Sequence, residues 1–421
     1  MMNRTQTRVG APWPRRVLSA AVVASVMVAL SACAGGGGGT GGQSTDGAQS
    51  DCGTIAVLPA NDPDNLMSTL PQTAQDLLNG YQDAPLAASE WADFAGFTEP
   101  ISAGFVGAAN PAPWLTAVQD TLRSHFEDGK AAGQFTGDFD IRQPADPSTQ
   151  TDADVIRLYQ DMVSEGRKLI FLLPTTGGAL ADAVTEAGKQ GVVTVVLAIA
   201  VPSPYAINVV PNSYLMAAEP FSRAMSILGG KGTMLEVEGI AGYGSTQVYQ
   251  NAIDTLLENC PDIKRLGPIY GGFTTSSSKS EVSAFLAANP GQIDAAIQLT
   301  VMGAGVWSAF KDSGRPTPLI IDVASSAASL AYWNDAIPDG YQGVGSESSG
   351  VGAGDIFWRA AEKVVKGDGP LVNSLAYQLG AITNDNIDEY LVPGADTSST
   401  DDVLVPTSAF TDEQMNAYFS K

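Results

Sequence analysis

Residues able to do covalent or acid–base chemistry are few in this sequence. One histidine, His125, stands in 421 residues, which excludes clusters of imidazole ligands, and the acidic residues do not recur at metal-ligand spacing. His125 falls in a helical pattern, where a surface or satisfied histidine is expected. No Gly-x-Ser-x-Gly occurs, and no glycine-rich stretch ends in Gly-Lys-Ser or Gly-Lys-Thr. Lys231, in Gly229-Gly230-Lys231-Gly232, precedes a strand pattern instead of opening a helix, the wrong context for a phosphate loop. Neither an enzyme nor a cofactor is expected. What remains is non-covalent chemistry, and the hydroxyls of Thr175 and Thr176 are its first candidates.

The elements around those threonines decide where they sit. Leu169–Leu173 is an uninterrupted apolar run, too short for a typical helix and without period-2 alternation, as expected of a strand buried on both faces. Pro174 stops it, Thr176 reads as an N-cap, and Leu180, Val184 and Ala187 line one face of a short helix that Gly191 ends. A second buried strand follows at residues 192–200. Such a unit closes with a right-handed crossover and leaves Thr175 and Thr176 at the carboxyl edge of the sheet, where open α/β folds bind small molecules. The two hydroxyls either meet a ligand or only cap the helix.

The same alternation runs through most of the chain. Strand patterns at residues 101–108, 139–142, 207–210, 233–238, 266–270, 295–300 and 318–323 alternate with helical ones, the first of them at 114–130 carrying Leu115, Val118, Leu122 and Phe126. This predicts an α/β protein of doubly wound parallel sheets, and 44% apolar content over 421 residues suits two cores rather than one. Residues 51–100, with short helical patterns at 70–81 and 89–94, read as an arm lying against the body.

The front of the chain is of another kind. Arg4, Arg8, Arg15 and Arg16 precede an apolar stretch too short for a comfortable membrane span, and Leu30-Ser31-Ala32-Cys33 follows it. The pattern is similar to a bacterial lipoprotein signal, residues 1–32, and that resemblance implies cleavage before Cys33 and a lipid on its sulfur. The alternative is an ordinary signal peptide with a coincidental cysteine. Residues 33–50 are mostly Gly, Ser, Thr and Gln, a flexible tether. Without the signal, 18 basic residues face 45 acidic ones, a net charge of about −27, which makes nucleic acid a poor partner. In an oxidising compartment Cys52 and Cys260 are either bridged or two separate thiols.

Several stretches carry a wider resemblance. They are Asn110-Pro111 up to Trp114, Glu165-Gly166-Arg167-Lys168-Leu169-Ile170 before Pro174-Thr175-Thr176, Glu236-Val237-Glu238-Gly239-Ile240-Ala241-Gly242, and Ala360-Ala361-Glu362-Lys363-Val364-Val365-Lys366-Gly367. In order and spacing the chain resembles, over residues 91–393, the type I periplasmic binding proteins of the ribose, galactose and xylose group. The resemblance implies two α/β lobes joined by three crossing segments, with a ligand enclosed by hinge closure. By position, lobe one takes residues 101–210 and 350–372, lobe two takes 211–349 and 373–405, and 406–421 is a tail. It also implies a monomer outside the cytoplasm, held on the outer face of the cell membrane through Cys33. The closed form docks on the permease of an ABC importer, or in a second version feeds a membrane sensor or chemoreceptor.

The resemblance also suggests a pocket. It gives Asn110 a hydrogen bond to the ligand and Trp114 a stacking face, unless Trp114 packs into its own helix. Elsewhere the sugar pattern is broken. Ala198-Ile199 stands where the family has Asp-Arg, Gln247 to Tyr249 where it has Arg, Thr300-Val301 where it has Asn-Asp, and Ala324 with Ser325 and Ser326 where it has Asp. Glu347 and Ser348 fall on the last crossing. Each sugar hydroxyl enclosed without a partner costs about 1–3 kcal/mol, so sugar sites need paired charged side chains. The expectation is a ligand with fewer hydroxyls and more apolar surface, held by Trp114, Tyr249 and Ile199, with Asn110, Thr300 and Ser348 giving direction. A register shifted by one or two residues brings Glu347, Gln298 or Asp322 to a sugar instead.

Overall fold

The computed structural model describes residues 52–109, 113–146, 149–399 and 410–420. The signal, Cys33, the whole tether and Asn110 lie outside them. Twelve strands are present among the described residues: β1 (Ala103–Gly107), β2 (Asp140–Arg142), β3 (Leu169–Leu173), β4 (Val193–Leu197), β5 (Ala206–Pro211), β6 (Gly232–Glu238), β7 (Ile263–Tyr270), β8 (Ala295–Leu299), β9 (Leu319–Val323), β10 (Val344–Ser346), β11 (Ser374–Tyr377) and β12 (Ala381–Thr383). They form two six-stranded sheets, in the orders β11-β5-β4-β3-β1-β2 and β12-β10-β9-β8-β6-β7. All neighbours run parallel except β10 and β12. Every residue of β1, β3, β4, β8 and β9 is buried, because helices cover both faces of each sheet. No helix among the described residues is long and apolar enough to cross a membrane.

The chain passes between the sheets after β5, after β10 and between β11 and β12. The last passage lies later than residue 372, where the sequence reading put it. Helix Gly350–Val365 returns the chain to the first sheet, and β11 pairs in parallel with β5, Ser374 opposite Asn208 and Tyr377 opposite Pro211. Nor do residues 410–420 form a detached tail. Phe410, Met415 and Tyr418 are buried in the first core, and the Tyr418 hydroxyl donates to the Ala376 carbonyl at 2.9 Å.

The arm reaches both lobes. Helix Gln72–Leu77 with Leu70, Leu78 and Tyr81 enters the core of lobe one, whereas Cys52, Ile55 and Leu58 pack against that of lobe two. Cys52 is disulfide-bonded to Cys260, 208 residues on. Between these anchors the arm binds the crossings: the Asn212 side-chain amide donates to the Leu77 and Asn79 carbonyls at 2.9 Å, and the Asn373 side chain accepts from the Ala87 amide at 3.0 Å. Residues 89–94, expected as helix, are turns. Ala88 bridges Val372 and the Trp91 indole donates to the Tyr205 carbonyl at 2.8 Å, and these bonds to lobe one replace a local helix.

Behind the carboxyl edge of the second sheet lies a buried acidic pair. Glu236 and Glu238, two apart on β6, share one face and are fully buried. Arg265 donates to the Glu236 carboxylate. Glu238 has no such partner among the described residues, and burial, then the adjacent Glu236 carboxyl, push its pKa well above the ordinary 4.5. Burial and the same two acids also raise the Tyr249 phenol.

Two outcomes follow from this architecture. Replacing Cys52 and Cys260 together by Ser should lower stability by about 2–4 kcal/mol in urea unfolding, since the bridge closes a long loop. Because Glu238 keeps a proton that the unfolded chain releases, its contribution is complete below about pH 4.5 and is lost as pH rises above it. Glu238→Gln should therefore gain stability over the parent between pH 5 and pH 8, measured in the same assay. A difference that stayed flat with pH would show that Glu238 is ionised in the fold.

Candidate functional site

Both sheets turn their carboxyl edges toward one cavity of about 170 Å³, and the turns that leave those edges build its wall. Five lining residues, Ala198, Phe273, Thr300, Val301 and Ala324, have φ between +48° and +61°. Each stands just beyond a strand: β4, β7, β8 or β9. For non-glycine residues this left-handed conformation costs about 1–3 kcal/mol each, and it persists where the surroundings over-determine it. Here backbone bonds do so, with the Thr300 amide donating to the Val323 carbonyl and the Val301 amide to the Ala324 carbonyl, both at 2.9 Å. The Ala324 amide donates to the Ser346 hydroxyl at 2.9 Å. Sharp turns of this kind keep the strand ends short and leave room between the lobes.

The lobes meet at the rim. Gly244 opens helix Gly244–Leu257, and a Cβ there would lie 3.0 Å from the Thr175 carbonyl oxygen and 3.4 Å from the Ile199 side chain. Glycine is what lets lobe two come this near to lobe one.

Five of the expected residues surround the cavity: Trp114, Ile199, Thr300, Glu347 and Ser348. Trp114, in the first turn of helix Pro113–Ala131, lines the cavity and also packs against the core of lobe one. Glu347 is 1% exposed; its Oε1 accepts from the Gly380 amide at 3.1 Å, and its own amide donates to the Gly380 carbonyl at 2.8 Å. One crossing segment thus fixes the carboxylate of another. Ser349 is committed as an N-cap, its hydroxyl accepting from the Gly352 amide at 2.9 Å.

Four expected residues lie elsewhere. The Thr175 hydroxyl donates to the Asp152 carboxylate and that of Thr176 does so at 2.9 Å, so these groups neither face the cavity nor cap their helix; they tie two loops of lobe one together. Tyr249 is 1% exposed inside lobe two, because Thr246, Tyr249, Ile253 and Leu256 form the inner stripe of their helix. Ser325 is fully buried and its hydroxyl donates to the Asp322 carbonyl at 3.0 Å. Gln298 and Asp322 are bound to each other at 2.6 Å beneath the strand ends and do not line the cavity. Burial raises the Asp322 pKa to about 6, against the hydrogen bonds it accepts.

The sequence reading missed three aromatic lining residues, Tyr243, Phe273 and Tyr377. Tyr243 and Phe273 follow β6 and β7 in edge loops and pack edge to face, with ring centroids 6.0 Å apart. The rule that singled out Thr175 applies equally to them. Tyr377 ends β11 and stacks on Phe410 at 5.4 Å. Burial, then Glu347, raises its phenol above the ordinary range.

Comparison with known proteins agrees with this geometry. The profile described as periplasmic binding protein domain matches residues 103–363, more than half of the chain. A xylitol-binding protein of Mycolicibacterium smegmatis is 27% identical over 233 residues, which is 54% of this chain and 64% of that protein, under two thirds of its length. An ABC transporter solute binding protein from Thermobispora bispora DSM 43833 superposes with a TM-score of 0.61 at 19% identity, covering 70% of this chain and 89% of that one. Another, from Bacillus halodurans C-125 with bound myo-inositol, gives 0.57 at 16% identity, covering 70% and 98%. These relatives are binding proteins, not enzymes, and the two structures share the fold. With its two parallel-sheet lobes, its cleft between their carboxyl edges and a family match across both, the chain belongs to the periplasmic binding protein family.

Proposed function

We propose that this chain is the solute-binding lipoprotein of an ABC importer, which encloses one small solute between its lobes and presents the closed form to a permease. The observation that carries the reading is the wall of left-handed turns from both sheets, opposed across a rim where Gly244 lies against Thr175. Energy invested in shaping four strand ends around one cavity belongs to a binding site more than to a core.

The lining favours a solute with few hydroxyls. Leu173, Ile199, Met216, Leu299, Ile356 and Leu379 offer no hydrogen bonds, and Ser349 is already engaged. Ser245, Thr300, Glu347, Ser348 and the phenols of Tyr243 and Tyr377 are the other polar side chains of the wall, and a polyol hydroxyl beyond their reach would stay unpaired at about 1–3 kcal/mol, whereas apolar surface gains about 25 cal/mol per Å². Trp114 supplies a stacking face on the lobe-one side. Lipid at Cys33 would keep the binder beside its permease, since acyl chains contribute about 0.8 kcal/mol per buried methylene.

Thermal denaturation of the purified chain with xylitol, myo-inositol, L-arabinose, cyclohexanol and benzyl alcohol tests the reading, because a ligand of the native state raises the midpoint. Cyclohexanol or benzyl alcohol should give the larger shift, and Trp114→Ala should weaken it by about 1–3 kcal/mol. A larger response to xylitol, unchanged in Trp114→Ala, would remove both the apolar ligand and the stacking role. In cells, Cys33→Ser should move the protein from the membrane fraction to the soluble one. If it stays with the membrane, anchoring is not through that cysteine.

A further inference from the structure

Of the five left-handed residues on the cavity wall, four are Ala, Thr or Val, and the fifth, Phe273 at φ +58°, carries a large ring. For a bulky side chain that conformation is an outlier, whereas glycine adopts it without steric cost. A ring kept at such a position needs a reason. Its backbone is fixed on both sides. The Gly271 and Gly272 amides donate to the Glu238 and Gly239 carbonyls at 2.7 and 3.0 Å. Thr274 then caps helix Thr275–Ala288, its hydroxyl accepting from the Ser277 amide at 3.2 Å. From this anchor the ring reaches back across Gly239, where a Cβ would overlap its Cζ.

That seat decides where the wall ends. Phe273 lines the cavity and Gly239 does not, so the glycine lies behind the ring. Backed by Gly239 and met edge to face by Tyr243, the ring is a fixed boundary on the lobe-two side. A side chain at Gly239 would drive it forward into the cavity, and a small residue in place of Phe273 would deepen the cavity by the size of a ring. We propose that Phe273, seated on Gly239, is the residue that sets how bulky a solute the cavity accepts. Gly239 is its positioning residue and acts only through the ring. The proposal rests on the solute-binding reading above and adds the residue that determines size. Phe273 also packs in the core of lobe two, so its removal lowers stability whatever its role, but core packing alone gives no preference among solutes.

The test compares the parent with Phe273→Ala, Gly239→Ala and the double variant by calorimetric titration of the purified chains. Two pairs of solutes differ in bulk, benzyl alcohol with 4-tert-butylbenzyl alcohol and xylitol with maltitol. In whichever pair it binds, the parent should favour the smaller member. Phe273→Ala should shift the ratio of dissociation constants toward the larger member by about tenfold or more, the scale on which an apolar pocket discriminates one methylene. Gly239→Ala should weaken binding by about tenfold with the ring present and by less than about twofold in the Phe273→Ala background, where the new methyl has room. Should Phe273→Ala fail to fold, Phe273→Leu reads the same ratio. A parent indifferent to bulk, or a ratio unchanged in the variant, overturns the proposal and leaves solute capture standing. Equal effects of Gly239→Ala in both backgrounds overturn it as well. Silence of the parent toward all four solutes overturns the size role and also removes the support for capture at this cavity.

Discussion

A parallel strand buried on both faces has only its ends free, and the rest of this structure follows from that constraint. Helices cover both sides of β1, β3, β4, β8 and β9, so side chains in mid-strand are committed to packing. Variation is left to the turns at the strand ends. Because both sheets direct their carboxyl ends to the same gap, those turns meet across it, and the cavity is the space they leave. The left-handed residues after β4, β7, β8 and β9 are the visible consequence, for a wider turn at any of them would fill the gap with backbone.

Polar groups beneath the cavity are arranged so that they do not compete with it. Asp322 is bonded to Gln298 and Ser329, and Asp152 receives both Thr175 and Thr176. Each carboxylate organises a loop or strand end from below. Glu347 differs because it rises from a crossing segment and lines the cavity. Around Asp322 and Asp152 the inner surface is thus supported by hydrogen-bonded carboxyl groups, while its exposed face remains largely apolar.

Much of the fold was legible because burial on both faces leaves a distinct mark, a five-residue apolar run such as Leu169–Leu173 with a proline directly after it and a glycine at the end of the helix that follows. The elements that misled were those whose fate depends on distant chain. β11 looks like a linker until β5 is beside it, and residues 89–94 have a helical pattern that bonds to Val372 and Tyr205 override. At the site, Trp114, Ile199, Thr300, Glu347 and Ser348 were legible through the family resemblance, which implied their places after strands or on a crossing. Tyr249 was misjudged by helix phase. The spacing of Thr246, Tyr249, Ile253 and Leu256 already marks the inner stripe, and the ring at the cavity is Tyr243, one loop earlier. Tyr377 could not be found locally, since only the pairing of β11 brings it to the edge.

The arm gives the molecule a fourth covalent route between its lobes. Three are the crossing segments; the other runs from β1 back through Trp91 and Tyr81, buried in lobe one, to Cys52 and across its sulfur to Cys260 in lobe two. A hinge of three parallel straps can swing until its own backbone resists, but a tie fastened to both lobes outside the hinge sets a shorter leash. Any opening of the lobes about the three crossings would have to respect this fourth tie as well. Part of the constraint between the lobes thus resides in a segment outside the lining of the cavity.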